Sequence, residues 1–599
     1  MKTWMRAGRL MVGIGWETGP RVFLGFLTAS LVGSLGPLLF AFSLRSLTNG
    51  IYYGSTSDAV IGGILIATSL LIISSAPFLE RWVIPRIRER SIMVMQRRML
   101  KLCAASPGLD HFERSDYSDR LQLIKRNFGD LLMGMANALT GPLILVQLVI
   151  TAVALARIQP LLLILPTAGF PAAWLGQKAE NVQRAGEQRA AEGRRVTQHL
   201  FSLASTAQSG KEIRVYNLSR ELLDRHKKVV NDVQRSMERA LFKSVAVTST
   251  GWLIFGVAYL GAIFLALRAA AAGRISPGDV ALTLSLSTAL VGAAGRLTQT
   301  VGLLLRAVAV ADRYYWLADR VLPAQQNGRR GHAPAVPARV TTGFTFEDVT
   351  FAYPGNNRPA LDHVSLSLEA GTVVALVGEN GAGKTTLVKL LSRMHTPSHG
   401  RILLDGTGIQ RFDVHEYRRR LAAGFQDFAR FEFLVRENVG IGDLPRLPDA
   451  EAVSRALTQA NARFAQRLPH GLETQLGRNW EGGVDLSGGE WQKLALARAM
   501  MRTNPFLVIY DEPTASLDPP TEHALFEQIA ADMRGGAADG RITLLVSHRF
   551  STVRMADLIV VLSKGRLLEY GTHTSLMARD GLYAELYRLQ ARAYSSVSE

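Results

Sequence analysis

The stretch VVALVGENGAGKTTLVKLL, residues 373–391, decides how the second half of this chain folds. Its first five residues are apolar and uncharged, as in a strand buried on both faces, and TTLVKLLSRM reads as a helix. Between them Gly378-Glu379-Asn380-Gly381-Ala382-Gly383-Lys384-Thr385 fits the spacing G-x-x-x-x-G-K-[ST], in the strand-before, helix-after context that it requires. The glycines leave backbone N–H groups bare for phosphate oxygens. Lys384 can reach the terminal phosphates, and the Thr385 hydroxyl, followed by Thr386, can meet Mg²⁺. A glycine-rich turn with only a structural role needs neither Lys384 nor Thr385.

Two later segments add chemistry. FLVIYDEP, residues 506–513, reads as a buried strand that delivers Asp511 and Glu512 at its C-terminal edge, where open α/β sheets bind ligands. One carboxylate can hold Mg²⁺, and the other can orient or deprotonate an attacking water. VDLSGGEWQKLALARAM, residues 484–500, places Ser487, Gly488, Gly489 and Glu490 at the start of a helix. That is a second anion-site layout, but it has no lysine of its own. Other β-rich runs, such as TLLVSH, alternate with helical segments from Phe344 onward, indicating a largely parallel core sheet.

Upstream, the first ~310 residues are crowded with apolar runs at about 20–46, 59–82, 130–156, 160–177, 244–270 and 279–305, each near bilayer-spanning length. The fourth is the weakest, because it contains Pro166 and Pro171. The links NGIYYGSTSD and ARIQP are poor in positive charge, whereas WVIPRIRERSIMVMQRRMLK and QKAENVQRAGEQRAAEGRR are strongly basic. Both long basic connections and both termini are therefore expected in the cytoplasm, and each connection reads as a helical hairpin continuing beyond the membrane. The basic start MKTWMRAGRLMVG is read as a cytoplasmic flank of the first span rather than a transit peptide. A Pro-, Gly- and Ala-rich linker, residues 322–343, separates a membrane part (1–321) from a soluble part (344–599).

The 599 residues carry a formal charge of +18 and are 48% hydrophobic, with a mean hydropathy of +0.11. Such a charge would suit a nucleic-acid binder, but its concentration beside apolar spans points to a membrane protein with no nucleic-acid partner. The single cysteine, Cys103, excludes an intrachain disulfide and a thiolate cluster. His395 and His399 have ligand-like spacing, but Pro397 lies between them, and both are placed in a surface loop.

With these motifs in order, the soluble half resembles the nucleotide-binding domain of the ATP-binding cassette (ABC) family. LSGGE, residues 486–490, is close to the family signature. Tyr353 in FAYPG matches the residue that stacks on adenine, and Gln426 in AGFQD the glutamine linking metal and water to the membrane domain. Asp518 in ASLD matches the loop crossing between cassettes, and His548 in VSHRFSTV the histidine that contacts the γ-phosphate.

The resemblance implies an α-helical six-span membrane domain with long cytoplasmic helical extensions, followed by an α/β P-loop ATPase domain of ABC type. It also implies ATP and Mg²⁺ as cofactors, with Thr385, Gln426 and Asp511 toward the metal and Glu512, Gln426 and His548 as the catalytic group. Two cassettes would face head to tail, so LSGGE of one covers ATP held at Lys384 of the other. The partner is then a second half-transporter chain, homodimer ahead of heterodimer.

A membrane domain placed ahead of the cassette resembles the exporter branch, with coupling helices expected at ERSDYSDRLQ and SGKEIRVYNL. The expected protein is a multi-pass exporter in a bacterial plasma membrane, with its nucleotide-binding domain and both termini cytoplasmic. Its cargo is expected to be amphipathic, a modified peptide or small hydrophobic drug. The alternatives are a lipid flippase of the same family and an ATP-gated channel or regulator without uphill transport. HFERSDYSDRLQ and LGRNWEGGVDLSGGEWQ are similar to segments of modified-peptide exporters, and no N-terminal extension that could hold a leader-cleaving protease is expected. Arg296, in the sixth span, would cost about 3 kcal/mol at a bilayer centre. It is read either as facing a wet cavity, where it meets cargo, or as snorkelling to the inner surface.

Overall fold

The computed structural model describes residues 2–106, 108–109, 112–327, 333–356, 358–513, 525, 527–531, 535–536, 539–547 and 549–595. The chain divides into two compact units: Met1–Lys101 with Arg120–Ala318, and Leu102–Asp119 with Asp319–Glu599.

The first unit is helical. Helix α1 (Lys2–Thr18) stops at Gly19, whose φ of 129° suits glycine, and Pro20 opens α2 (Pro20–Tyr53). The N-terminal flank is thus a helix of its own. Ala7, Leu10, Met11 and Ile14 form its buried stripe, while Trp4, Met5, Val12 and Trp16 are exposed, the habit of a helix lying in a membrane interface.

There follow α3 (Thr56–Ala105), α4 (Ser115–Arg126), α5 (Phe128–Ile158), α6 (Ile164–Ser205), α7 (Ala207–Val215), α8 (Ser219–Ala271) and α9 (Pro277–Asn327). Helix α3 has 50 residues and α8 has 53, about 75–80 Å each at 1.5 Å per residue. That is far beyond a bilayer core of about 30 Å, so the helical extensions read from the basic connections are present.

Among the described residues, five segments are long and apolar enough to cross a membrane: Pro20–Tyr53, Thr56–Ser75, Thr140–Ile158, Ser219–Ala271 and Pro277–Arg320. The weak fourth run begins as a 3₁₀ turn, Pro160–Leu163, and continues as α6, with Pro171 inside the helix. Helices α6 and α8 pack closely because small residues meet: a Cβ at Gly186 would stand 2.3 Å from that of Ala240, and one at Gly193 2.4 Å from Val233.

Among the described residues, the second unit contains two sheets. The four-stranded antiparallel sheet has the order β2 (Leu361–Glu369), β1 (Gly343–Phe351), β4 (His399–Leu404), β5 (Thr407–Gly408). The six-stranded sheet has the order β10 (Arg566–Gly571), β9 (Leu558–Ser563), β3 (Val373–Val377), β8 (Ile542–Val546), β7 (Leu507–Asp511), β6 (Leu421–Gly424). Its strands are parallel except for the antiparallel edge strand β10.

VVALV, FLVIYD and TLLVSH supply its three central neighbours, β3, β7 and β8, all buried on both faces. Helix α10 (Lys384–Leu391) follows β3, and α11 (Gly488–Met500) precedes β7. One expectation is corrected: His395 is only 3% exposed and lies against the rings of Phe351 and Tyr353, because the aromatic side chains bury it. His399, on β4, is exposed as expected.

Candidate nucleotide site

Sheet register assembles the site. In the parallel ladder Leu376 pairs with Val546, Val546 with Asp511, and Tyr510 with Gly424. The C-terminal ends of β3, β8, β7 and β6 therefore lie side by side, and the segments leaving them carry Gly378, Ser547, Glu512 and Gln426.

The loop after β3 requires its glycines. Gly378, Gly381 and Gly383 have φ of 153°, 80° and 104°, and a Cβ at Gly378 would sit 2.2 Å from the Leu562 carbonyl. Glu379, Asn380 and Gly381 are exposed, while Ala382 and Gly383 are buried. The Lys384 ammonium donates to the carbonyls of Gly378 at 2.7 Å and Glu379 at 3.0 Å, so it lies across the mouth of the loop. Burial lowers its pKa, against the opposing pull of Glu512 and Asp511. Thr385 is exposed on the first turn of α10, and Thr386 is buried, its hydroxyl 3.1 Å from that of Tyr353. The Tyr353 ring thus sits over the first turn of α10, and the Lys389 ammonium lies 5.0 Å from its centroid.

Across the sheet, Gln426 Nε2 donates to Glu512 Oε2 at 2.7 Å, joining two candidate catalytic residues 86 positions apart. Glu512 has a left-handed backbone, φ 47°, and its N–H donates to the Val546 carbonyl at 2.9 Å. That conformation is uncommon outside glycine and turns the side chain off the strand end. Asp511 is buried, and its carboxyl is pushed up to about 6, first by desolvation and then by Glu512 and Asp427, with Lys384 opposing. Three carboxylates against one lysine leave an excess of negative charge. With the oxygen donors of Thr385, Gln426 and Asp511 this fits a hard divalent cation.

Ser487 caps α11. Its Oγ accepts from Glu490 N–H at 3.3 Å, and Glu490 Oε2 accepts from both Ser487 N–H and Ser487 Oγ–H at 2.8 Å. Ser487 and Gly488 are exposed, and a Cβ at Gly488 would meet nothing within 4 Å. His548 and Asp518 lie outside the described residues. Sequence reasoning missed Gln492, whose amide donates to the Glu512 carbonyl at 3.1 Å, and Asp427 beside Asp511. The S-x-x-E capping signature was visible in SGGE.

Arg296 is on α9, where its Nη2 donates to Gln147 Oε1 of α5 at 3.0 Å, a polar pair between two apolar segments. SGKEIRVYNL includes most of the short helix α7, and ERSDYSDRLQ most of α4. Just before α4, Leu109 N–H donates to the Met394 carbonyl at 2.9 Å, and Glu113 accepts from Lys389 at 2.9 Å.

The ABC transporter domain profile matches residues 361–515. The ATP-dependent lipid A-core flippase of Xylella fastidiosa (strain 9a5c) is 35% identical over 410 residues, 67% of either chain. The chain belongs to the ABC transporter family. The flippase of the same name from Xylella fastidiosa (strain Temecula1) is 34% identical over 409 residues, also 67% of either chain. That of Xanthomonas campestris pv. campestris (strain 8004) is 33% identical over 397 residues, 66% of this chain and 64% of its own. The fold matches a bacterial Atm1-family ABC exporter solved with ATP bound, with a TM-score of 0.79 at 22% identity over 95% of this chain and 99% of that one. This ABC exporter is therefore a half-transporter with its membrane and nucleotide-binding domains fused, and an ATPase coupled to transport. It is a multi-pass membrane protein with a cytoplasmic nucleotide-binding domain.

Proposed function

We propose that this ABC exporter is a bacterial plasma-membrane flippase, moving an amphipathic lipid between leaflets rather than exporting a peptide or a drug. The observation carrying this reading is the similarity to lipid A-core flippases over two thirds of each chain. It favours the alternative over the cargo first expected. Arg296, paired with Gln147 between apolar segments, is the candidate contact for an anionic headgroup.

In this reading residues 1–321 form the membrane domain, 322–343 a linker and 344–599 the nucleotide-binding domain. ATP lies in the Gly378–Thr386 cradle with its base on Tyr353, and Lys384 leaves the loop carbonyls for the terminal phosphates. Glu512 accepts the proton of the attacking water, and Gln426, already hydrogen-bonded to it, holds that water in line. His548 contacts the γ-phosphate. Thr385, Gln426 and Asp511 would hold Mg²⁺, which supplies charge neutralisation on the phosphates.

The exposed Ser487–Glu490 helix start of a second, identical chain closes over this ATP, and Asp518 lies at the crossing between cassettes. Closure shifts the membrane domain between two access states, and hydrolysis lets it reopen.

The test is reconstitution of the full chain into proteoliposomes that contain fluorescent anionic and zwitterionic lipids, with labelled peptides and hydrophobic drugs as separate cargoes. ATP-dependent lipid translocation that exceeds peptide or drug uptake is expected, and Arg296→Ala should lower it more for the anionic lipid. Peptide or drug accumulation without lipid movement would overturn the cargo reading.

A further inference from the structure

The nucleotide-binding domain holds a second cavity, of about 650 Å³, at the opposite end of the core sheet from the nucleotide site. Phe506 N–H donates to the Arg420 carbonyl and Ile542 N–H to the Phe506 carbonyl, both at 2.9 Å, so the starting ends of β6, β7 and β8 lie side by side there. Phe506 and Val508 line the cavity, whereas Asp511 closes β7 on the nucleotide side, about 16 Å from Phe506 at about 3.3 Å per residue. Six arginines line it: Arg420 and Arg541 just before β6 and β8, Arg446 and Arg455 from the segment between β6 and α11, Arg502 just after α11, and Arg339 ahead of β1. Among the described lining residues Asp539 is the one carboxylate.

Arg455 reaches Glu451 at 3.3 Å, and Arg502 lies 3.8 Å from Asp443. Arg420 and Arg446 are placed differently. Arg420 donates to the Ala338 carbonyl, and Arg446 to the Met501 carbonyl at 3.2 Å, contacts that orient a guanidinium without cancelling its charge. Among the described residues neither meets a carboxylate, and Arg420 Nε is buried without a hydrogen-bond partner. A buried donor on a charged group is costly until an acceptor reaches it. Between the arginines the wall includes the small side chains of Ala422, Ala456 and Ala499, which leave room for a ligand, and the volume falls within the roughly 300–1,000 Å³ of small-molecule sites. Forked guanidinium groups match the oxygens of phosphate, and several around one cavity suit more than one phosphate.

We infer that this cavity binds a soluble small molecule carrying two or more phosphate groups, with Arg420 and Arg446 as its main contacts. The ligand supplies the negative charge that the carbonyls of Ala338 and Met501 lack. It bridges the segment ahead of β1, the sheet edge and the helix Ala450–Gln459, at a site separate from the Lys384 loop.

Equilibrium dialysis of the detergent-purified full chain tests this with pyrophosphate and inorganic phosphate as separate probes, in a Lys384→Ala background that disables the loop after β3. Pyrophosphate should still bind, and tighter than inorganic phosphate. Adding R420Q and R446Q should weaken pyrophosphate about 100-fold, at about tenfold per charge-assisted contact, while R420K/R446K should keep it within about tenfold. R455Q, whose exposed side chain makes no carbonyl contact, should weaken it about threefold and carries the test if the double variant does not fold. Unchanged pyrophosphate affinity in the double variant, or in R455Q where that variant alone folds, overturns the site. So does equal affinity for phosphate and pyrophosphate, which would mark a diffuse basic surface, or the absence of pyrophosphate binding once Lys384 is replaced.

Discussion

The nucleotide-binding domain has two glycine-rich helix starts, and they are built in opposite ways. At Gly378–Lys384 the loop is pressed into the fold: Lys384 is 7% exposed, and a Cβ on Gly383 would meet the Ala360 carbonyl at 2.7 Å. At Ser487–Glu490 the helix start faces open space. The first is shaped by its own chain down to single atoms. The second caps the N–H groups of Ser487 and Glu490 with each other's side chains and leaves Ser487 and Gly488 exposed, the form suited to a surface completed by another molecule.

The contrast can be broken at several places. Glu512→Gln should lower ATP turnover by about 10²–10⁴-fold, because the proton acceptor is lost, while nucleotide affinity at Lys384 stays near wild type. Parallel turnover and nucleotide-binding assays check this, and wild-type rates would remove Glu512 from the chemistry.

Ser487→Arg should reduce turnover at least about tenfold by filling with a long side chain the space where phosphate is expected to be shared, with little change in ATP binding to the Lys384 loop. The same assays apply, and unchanged turnover would make the open helix start a bystander.

Gly383→Ala should destabilise the fold by about 1–3 kcal/mol, since φ of 104° and the Ala360 contact both oppose a side chain. Gly488→Ala should stay within about 0.5 kcal/mol, as its surroundings are open. Thermal melts of the two variants compare the sites directly, and equal shifts would show that they are not built differently.

An effect smaller than that of Gly383→Ala is expected from Glu490→Ala, which removes the capping partner of Ser487 and should lower stability by about 1 kcal/mol. It also separates cap loss from added bulk in Ser487→Arg: turnover lost equally in both variants would assign the effect to the cap.

Much of the architecture was legible because it is local. Charge-free runs flanked by basic segments mark the membrane helices, and VVALV, FLVIYD and TLLVSH became adjacent strands because short uncharged β-rich runs are stable only inside a covered parallel sheet. The phosphate loop was equally legible, since its requirement for backbone space falls on glycines at fixed spacing.

What was missed is non-local or depends on a neighbour's size. Separate α1 needed the break at Gly19–Pro20 to be recognised as a break. His395 is buried by Phe351 and Tyr353, 44 and 42 residues away in sequence, so no pattern around MHTPSHG could reveal it.

The sequence by itself determined the family, the order of the two halves and the residue types that chemistry on ATP requires, because motifs and periodicity are written along the chain. Tertiary structure alone decided which residues meet. Parallel register set Gln426 against Glu512, and the Gly186–Ala240 approach set α6 against α8. Such pairings depend on which faces pack and in what register, and a one-dimensional spacing does not carry that information.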